Sequence, residues 1–322
     1  MNRRKPGTPA LRARQLRLIP IPGPAYAGAV RVLVLVNPVA GRQAAGRGVE
    51  TRLSLAREML SSRGVAGEAM ATTHAGHAEE MARRAAAEGY DTVFAWGGDG
   101  TVNEVARALS FTDTALAVVP AGSGNGLARA LHLPLDSRAA LACGLDRPAR
   151  RLDTASLGDR FFLNVAGVGL DAEVAAAFNR PGMARGLLTY VSIGVRAGLT
   201  YRARQYTLTV GGDQRHERAL IIALANASQY GNGAIVAPDA SPDDGLLDLV
   251  VIGERGPFGR LRAARRLFNG TLPRAAGVMT RKVEQVIIEA DVPLRFHVDG
   301  EAAEGGTRLV GLVHAGALKV RA

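Results

Sequence analysis

Several residue types are scarce in this chain, and each scarcity excludes a class of protein. Cys143 is the one cysteine among 322 residues, so no disulfide can form within the chain, which fits a reducing compartment. Lysine occurs three times, at Lys5, Lys282 and Lys319, and never inside a glycine-rich loop of the P-loop type. Aromatic residues make up 5% of the chain and do not interleave with basic segments, which argues against a nucleic-acid-binding surface.

Long apolar stretches are also missing. No run of eighteen apolar residues occurs, so the sequence predicts no transmembrane helix. The segment from residue 16 to residue 30 is interrupted by Arg17, Pro20, Pro22, Gly23 and Pro24, so it lacks the continuous apolar core of a signal peptide. We therefore expect a cytoplasmic protein.

Acidic residues are the minority, and the formal net charge is +11. About half of the excess lies in residues 1–28, which contain no acid and six basic residues: Arg3, Arg4, Lys5, Arg12, Arg14 and Arg17. We expect this segment to be a solvated, disordered tail. A tether to anionic lipid is a second interpretation, because each basic residue near such a surface contributes on the order of 1 kcal/mol.

The pattern of apolar runs divides the rest of the chain near residue 150. From residue 29 to residue 150, short apolar runs alternate with helical patterns, which predicts a parallel sheet with right-handed crossovers. From residue 151 to residue 322, strand patterns follow one another through Gly, Asp and Pro turns, with helical segments near 184–199 and 257–269. The sequence therefore predicts an α/β domain followed by a mostly antiparallel β domain.

Two glycine-rich turns carry most of the functional information. Gly97-Gly98-Asp99-Gly100-Thr101 and Gly122-Ser123-Gly124-Asn125-Gly126 each follow a strand pattern and precede a helical one. Glycines in such turns leave backbone N–H groups open and let a phosphate approach the main chain. An acid inside the first turn would repel a bare anion, so Asp99 fits a role in handling Mg²⁺ or a proton.

Asn37-Pro38-Val39-Ala40-Gly41 follows the first strand and is predicted at the same edge of the sheet as the glycine turns. Thr72, followed by Gly76-His77-Ala78, is a weaker candidate at the start of another helix. Ligands of parallel sheets bind beyond the carboxyl ends of the strands, where the Asn37–Gly41 segment and the glycine turns would meet. Without a P-loop lysine, phosphate there has to be held by backbone amides, hydroxyl groups, a metal or arginine.

The order of these segments, with two more in the second half, resembles one family. Ser241-Pro242-Asp243-Asp244-Gly245-Leu246-Leu247-Asp248 and His297-Val298-Asp299-Gly300-Glu301 complete the set. The set resembles the diacylglycerol kinase and sphingosine kinase superfamily, in family order from residue 37 to residue 301. The resemblance implies a Rossmann-like, NAD-kinase-like N-terminal domain (29–150) and a C-terminal β-sandwich domain (151–322) that accepts the lipid.

The resemblance further implies a lipid kinase that depends on ATP and Mg²⁺ and phosphorylates a diacylglycerol-like or sphingoid hydroxyl. The positions that match the family's ATP contacts are Asn37, Pro38, Gly41, Thr72, Gly97, Gly98, Asp99, Gly100, Thr101, Asn103, Gly122, Ser123 and Asn125. Those that match its structural Mg²⁺ ligands are Ser241, Asp244 and Leu246. The resemblance implies Glu301 as the proton acceptor, with Asp299 close by. The sphingosine kinase pattern points to Asp99 instead, so all three residues remain candidates.

Other functions and partners remain open as well. NAD kinase shares the first glycine turn, and a nucleotide-binding regulator without catalysis would keep both turns, although the acids at Asp99, Asp244, Asp299 and Glu301 favour an enzyme. An acceptor lipid would be met at a membrane, so we expect a peripheral protein on the inner face. The basic and apolar segment 257–268 fits an anionic phospholipid surface, with an ordinary solvated helix face as the alternative. A homodimer is possible.

Overall fold

The computed structural model describes residues 30–41, 47–179, 193–194, 197–198, 200–231 and 233–322. The tail predicted at 1–28 lies outside the described residues, as does most of the helical segment predicted near 184–199. Among the residues that the structure describes, no helix has the length and hydrophobicity of a transmembrane span.

The N-terminal half alternates strands and helices. In chain order its elements are β1 (Arg31–Val36), α1 (Arg47–Ser62), β2 (Ala66–Ala71), α2 (His77–Ala87), β3 (Thr92–Gly97), α3 (Asp99–Leu109), β4 (Ala115–Pro120), α4 (Gly126–Ala130) and α5 (Ser137–Asp146). β1 pairs in parallel with β2 and β3, and β3 pairs in parallel with β4. The predicted parallel sheet is confirmed, in the order β2-β1-β3-β4.

Helices cover both faces of this sheet, which explains the continuous apolar sequence of its strands. Every residue of β3 and β4 is buried. On one face, Ala82 of α2 and Val105 of α3 belong to the same core as Leu35. On the other face, Ala56 of α1 belongs to the same core as Phe94. The covered faces leave the carboxyl edge of the strands as the open side of the domain.

The strand order reverses between β1 and β3. The chain runs from β1 outwards to β2, crosses back past β1 to β3 and continues to β4. In open α/β sheets a crevice forms at such a reversal, beyond the carboxyl ends of the strands, and ligands bind there. β1 ends one residue before Asn37, and β3 ends at Gly97. The fold therefore sets Asn37 and the first glycine turn on opposite sides of the crevice.

The C-terminal half is mainly antiparallel, as predicted. Its elements are β5 (Ala149–Leu157), β6 (Arg160–Phe162), β7 (Val165–Gly169), α6 (Leu170–Phe178), β8 (Arg204–Val210), β9 (Asp213–Ala225), β10 (Leu247–Gly253), α7 (Pro257–Phe268), a 3-10 helix (Leu272–Arg274), β11 (Val278–Val283), β12 (Gln285–Glu289), β13 (Arg295–Val298), β14 (Glu301–Glu304) and β15 (Arg308–Arg321). β7, β8 and β10 all pair antiparallel with β9, and β13 pairs antiparallel with β7 and β14. The helix predicted near 257–269 is α7.

The last strand belongs to both halves. β15 pairs antiparallel with β12 and β5, while Val320 and Arg321 near its end pair in parallel with β4. Its register against β5 shifts between His314 and Leu318, where Gly316 has φ +58°. This irregularity divides the residue pairs between β15 and β5 into two groups, one beside the C-terminal strands and one beside β4. The two halves thus share one continuous sheet, and β5 and β15 cross the division placed at residue 150.

Candidate active site

A side-chain contact spans the crevice between β1 and β3. Asn37 Nδ2 donates to Thr101 Oγ1 over 2.8 Å, and Asn37 Oδ1 accepts from the N–H of Val39 at 3.0 Å. Thr72 follows β2, and its N–H donates to the carbonyl of Val36 at 2.9 Å. Residues from three separate strand ends therefore meet at one edge of the sheet.

The two glycine turns pack directly against each other. A Cβ atom on Gly122 would lie 2.7 Å from the Cα of Gly98, and one on Gly97 would collide with the hydroxyl of Thr101. Since real Cβ atoms do not come so close, both positions require glycine. The first N–H groups of α3 have no carbonyl partner within the helix, so this end of α3 can bind a phosphate.

Asp99 holds the second glycine turn against the first. Its Oδ2 accepts from the N–H of Asn125 at 2.9 Å, and its Oδ1 accepts from the N–H of Gly126 at 2.6 Å. Asn125 closes the turn on itself, with its Oδ1 2.9 Å from the N–H of Gly122. Asp99 therefore holds the two glycine turns together, a role that the sequence did not reveal. We call these two turns and the start of α3 the cradle. The predicted role of Asp99 in handling a proton or Mg²⁺ stays a prediction.

The carboxylate of Asp299 accepts four hydrogen bonds. Its Oδ1 accepts from the N–H groups of Asn164 and Val165 at 2.8 and 3.0 Å. Its Oδ2 accepts from the N–H of Leu163 at 2.7 Å and from Asn103 Nδ2 at 2.9 Å. Burial raises the pKa of the Asp299 carboxyl, and the backbone N–H groups oppose that rise. With four acceptor positions filled, Asp299 is an anchor rather than an acceptor of a substrate proton.

A two-residue hairpin between β13 and β14 places Glu301. Val298 pairs with Glu301, and the intervening Asp299 and Gly300 have φ +47° and +85°. Positive φ at both positions defines a type I′ turn, for which Asp-Gly is a preferred sequence. The side chain of Glu301 is exposed, and its Oε1 lies 3.9 Å from the position of a Cβ on Gly100. Asp299 has four acceptor positions filled and Asp99 has two, whereas the Glu301 carboxylate accepts no hydrogen bond from the described part of the chain.

A lysine lies beside the carboxylate for which the sequence predicted a metal. Lys282 Nζ donates to Asp244 Oδ2 at 2.7 Å and to Asp248 Oδ2 at 3.1 Å. Asp244 Oδ1 accepts from the N–H of Leu246 at 3.0 Å, and Ser241 Oγ donates to the carboxylate two residues further on. An ammonium group thus occupies the position of a cation. In this arrangement Ser241, Asp244 and Leu246 do not fit a resident Mg²⁺, and no step of the reaction is assigned to one.

A buried polar network lies behind the hairpin and was missed by sequence reasoning. His297 Nε2 lies 3.2 Å from Asp171 Oδ2, which also accepts from the hydroxyl of Tyr230 at 3.1 Å. The N–H of Gly300 donates to His297 Nδ1 at 3.4 Å, so the proton of a neutral imidazole lies on Nε2 and points to Asp171. The available signal was Asp171 near the start of α6, a mostly apolar helix whose other acid is Glu173.

Asp171 and Tyr230 also line an apolar cavity of about 220 Å³. The rest of its lining is mostly aliphatic and comes largely from α6, α7, β9 and β10, including Leu220, Val236, Ile252, Ala263 and Leu267. Through His297 the polar side of the cavity connects to the hairpin that carries Glu301. An apolar molecule in the cavity and a phosphate on the glycine turns would therefore lie on two sides of one hairpin.

A more open cavity of about 410 Å³ lies beside the cradle, next to Gly41 and Pro120. Arg52 lines it and donates to the carbonyls of Asn37 at 3.3 Å and Ala40 at 2.8 Å, and burial lowers the pKa of its guanidinium. A Cβ on Gly41 would lie 3.1 Å from the carbonyl oxygen of Ala121, so the loop after β1 runs close to the end of β4. This cavity leaves room beside the glycine turns for a group larger than a phosphate.

The fold combines a glycine-rich strand edge that can bind phosphate in one half with an apolar cavity in the other. Comparisons with known proteins agree. Residues 31–157 match the diacylglycerol kinase catalytic domain, and residues 164–322 match the YegS C-terminal NAD kinase beta sandwich-like domain. The chain belongs to the diacylglycerol kinase family, a family of phosphotransferases with an alcohol group as acceptor.

Individual relatives span nearly the whole chain. A Pseudomonas aeruginosa protein named "Probable lipid kinase YegS-like" is 32% identical over 90% of this chain and 93% of its own length. The diacylglycerol kinase of Bacillus subtilis is 26% identical over 84% of this chain and 89% of its own. The crystal structure of a Bacillus anthracis diacylglycerol kinase superposes with a TM-score of 0.70 at 21% identity, covering 90% of this chain and 96% of that one. The first two relatives support a lipid kinase, and the third shows the fold.

Proposed function

We propose that this chain transfers the γ-phosphoryl group of ATP to the hydroxyl group of a lipid. The observation that carries the proposal is the position of Glu301. Its Oε1 lies 3.9 Å from a Cβ position on Gly100, while its hairpin backs through His297 onto the apolar cavity. A phosphate donor and an apolar acceptor can then meet at one carboxylate.

The glycine turns and the start of α3 supply the donors for the phosphates of ATP. The described turns contain no lysine, so backbone N–H groups and the hydroxyls of Thr101 and Ser123 do this work. The Mg²⁺ that accompanies ATP would offset part of the phosphate charge. The chain's own contribution is to fix the cradle, since Asp99 and Asn103 tie the first turn to the second turn and to the Asp299 hairpin.

Glu301 is suited to take the proton of the acceptor hydroxyl. As the hydroxyl oxygen bonds to the γ-phosphorus, its proton passes to the Glu301 carboxylate, and the bond to the bridging oxygen of ADP breaks. The products are a phosphorylated lipid and ADP. Because the Glu301 side chain is exposed, its proton can return to solvent after transfer.

The cavity indicates the chemical class of the acceptor. Its aliphatic lining suits a hydrocarbon chain, and Asp171 and Tyr230 give one side a polar character. The relatives named diacylglycerol kinase favour a diacylglycerol-like lipid. A sphingoid base is the alternative, because its amino group would suit the carboxylate of Asp171. We also propose that the enzyme works peripherally at the inner face of a membrane, where ATP and lipid are both present.

A labelled-phosphate assay tests the proposal. Purified full-length chain is incubated with Mg²⁺, γ-labelled ATP and detergent-dispersed diacylglycerol, monoacylglycerol, sphingosine, ceramide or phosphatidylglycerol. A labelled lipid is expected from the wild type and not from the Glu301→Gln variant. Labelled NADP formed in a parallel reaction that contains NAD in place of lipid would instead assign an NAD kinase, and nucleotide binding without any labelled product would assign a non-catalytic regulator.

A further inference from the structure

Helix α7 turns large apolar side chains towards solvent. Phe258, Leu261 and Phe268 are 86%, 65% and 43% exposed. Together with Arg265 they are spaced by three, four and three residues, which places all four on one face of a helix. A surface helix normally buries its large apolar residues, and exposed apolar clusters mark contact surfaces.

The same helix lies in a strongly basic stretch of the chain. Residues 255–283 contain no acid and eight basic residues: Arg255, Arg260, Arg262, Arg265, Arg266, Arg274, Arg281 and Lys282. A surface that combines basic residues with exposed apolar side chains is complementary to a lipid bilayer, whose headgroups can be anionic and whose interior is apolar.

Several of these arginines fasten the helix to the fold. Arg260 donates to the carbonyls of Gly198 at 2.5 Å and Tyr201 at 2.8 Å, and Arg255 donates to the carbonyl of Gly277 at 2.9 Å. Arg262 and Arg265 are exposed and have no hydrogen-bond or ion-pair partner within the described part of the chain. On α7, Arg260 therefore holds the helix against the rest of the fold, whereas Arg262 and Arg265 remain available on the apolar face.

The exposed face is continuous with the apolar cavity. Leu261 and Phe268 line the cavity and are also open to solvent, so α7 forms its mouth. A hydrocarbon chain that left a bilayer at this point would pass along α7 into the cavity without crossing water.

We propose that Phe258, Leu261, Arg262, Arg265 and Phe268 form a docking face that seats the enzyme on an anionic phospholipid bilayer and aligns the cavity mouth with the lipid. The inference rests on the proposed function, since it takes the cavity as the acceptor site. The two arginines contact lipid phosphates, and the three apolar side chains insert below them.

Vesicle flotation of the full-length chain tests this directly. Vesicles of phosphatidylcholine alone are compared with vesicles that also contain phosphatidylglycerol, and binding is expected only to the second kind. The triple variant Phe258→Ser, Leu261→Ser, Phe268→Ser and the double variant Arg262→Glu, Arg265→Glu should each bind about tenfold more weakly or worse. The matched controls Phe111→Ser, at a side chain 73% exposed, and Arg57→Glu, on α1, should bind as the wild type does.

Activity assays separate this inference from the proposed function. The double variant Arg262→Glu, Arg265→Glu, at two positions outside the described cavity lining, should lose turnover on lipid in vesicles and keep it on the same lipid dispersed in detergent, with an unchanged melting temperature. If the wild type phosphorylates no lipid in either form, the proposed function fails, and flotation still reports on the docking face.

Two outcomes would overturn the docking face. One is wild-type vesicle binding by both face variants, with binding lost only on removal of residues 1–28. The other is a dimer, measured by light scattering, that the triple variant converts to a monomer without any change in vesicle binding. In that case a second copy of the chain covers the face.

Discussion

The side-chain amide of Asn103 donates to Asp299 Oδ2 over 2.9 Å and joins the helix of the phosphate cradle to the hairpin of the second half. The same carboxylate accepts the N–H groups of Leu163, Asn164 and Val165. One carboxylate thus fixes the distance between the two sides of the crevice. Asp299, two residues before the proposed proton acceptor Glu301, is therefore a structural element of the site.

Replacing Asp299 with Asn should therefore destabilise the protein as well as inactivate it. Asparagine tolerates the positive φ at this position, but its NH₂ group would face N–H donors. We expect a loss of about 2–3 kcal/mol in the free energy of unfolding, measured by urea denaturation. Wild-type stability in this variant would show that the four hydrogen bonds do not hold the hairpin.

Glu301→Gln should act on chemistry alone. Without a carboxylate to take the proton, kcat should fall about 10²–10⁴-fold, while the melting temperature and the Kd for ATP stay unchanged. Glu304→Gln, on the same strand and also exposed, is the matched control and should retain full activity. Comparable kcat values for wild type and Glu301→Gln would return the role of proton acceptor to Asp99.

Asp99→Asn should weaken nucleotide binding because the second glycine turn would lose one of its two braces. We expect the Kd for ATP, measured by calorimetry, to rise about tenfold, as for the loss of one charge-assisted hydrogen bond. Asp153→Asn is the control, since Asp153 likewise accepts two backbone N–H groups, those of Gly245 and Gly316, in the C-terminal half. Both variants should melt at a lower temperature than the wild type, but only Asp99→Asn should bind ATP more weakly.

The lysine beside Asp244 predicts indifference to metal chelation. In the absence of nucleotide, the wild type should melt at the same temperature in EDTA and in millimolar Mg²⁺. Lys282→Met leaves the carboxylates of Asp244 and Asp248 facing each other, so it should lose about 1 kcal/mol, and added Mg²⁺ should restore part of it. Lys319→Met, which removes an ion pair to the exposed Asp113, should show no metal response. A wild-type melting temperature that rises with Mg²⁺ and stops rising in Asp244→Asn would establish the metal site instead.

His314 should make the folded state less stable as the pH falls. Burial lowers the pKa of this imidazole below its ordinary value of 6.5, so the folded state favours the neutral form. The unfolded chain binds the proton more readily, and stability should fall as the pH drops below that value. Between about pH 7.5 and about pH 5.5, urea denaturation should therefore show a larger loss for the wild type than for His314→Gln. Equal losses would mean that His314 does not titrate differently in the two states.

The outline of the site could be predicted because its signals are local. An apolar run followed by glycines marks a strand end, and parallel strand ends share an edge, so Asn37 and both glycine turns converge as predicted. The Asp-Gly pair that forms the type I′ turn at Asp299 is likewise local information.

What the sequence does not show are the contacts between distant segments. The pairing of Asp99 with the N–H groups of Asn125 and Gly126, of Lys282 with Asp244, and of His297 with Asp171 depends on how elements pack. Motif spacing can propose a carboxylate for a role, but it cannot show which of its oxygens are already occupied by hydrogen bonds. Asp299 and Asp244 both looked available in the sequence and are engaged in the fold.

The path of β15 has a consequence for how the molecule gains its stability. Its last residues pair with β4, so the sheet of the N-terminal half is completed by a strand that is synthesised after the rest of the C-terminal half. A fragment ending near residue 150 would expose the edge of β4 and invite pairing with other chains. We expect the two halves to unfold in a single cooperative transition. Substitutions that destabilise the C-terminal half should therefore also loosen the glycine turns of the N-terminal half.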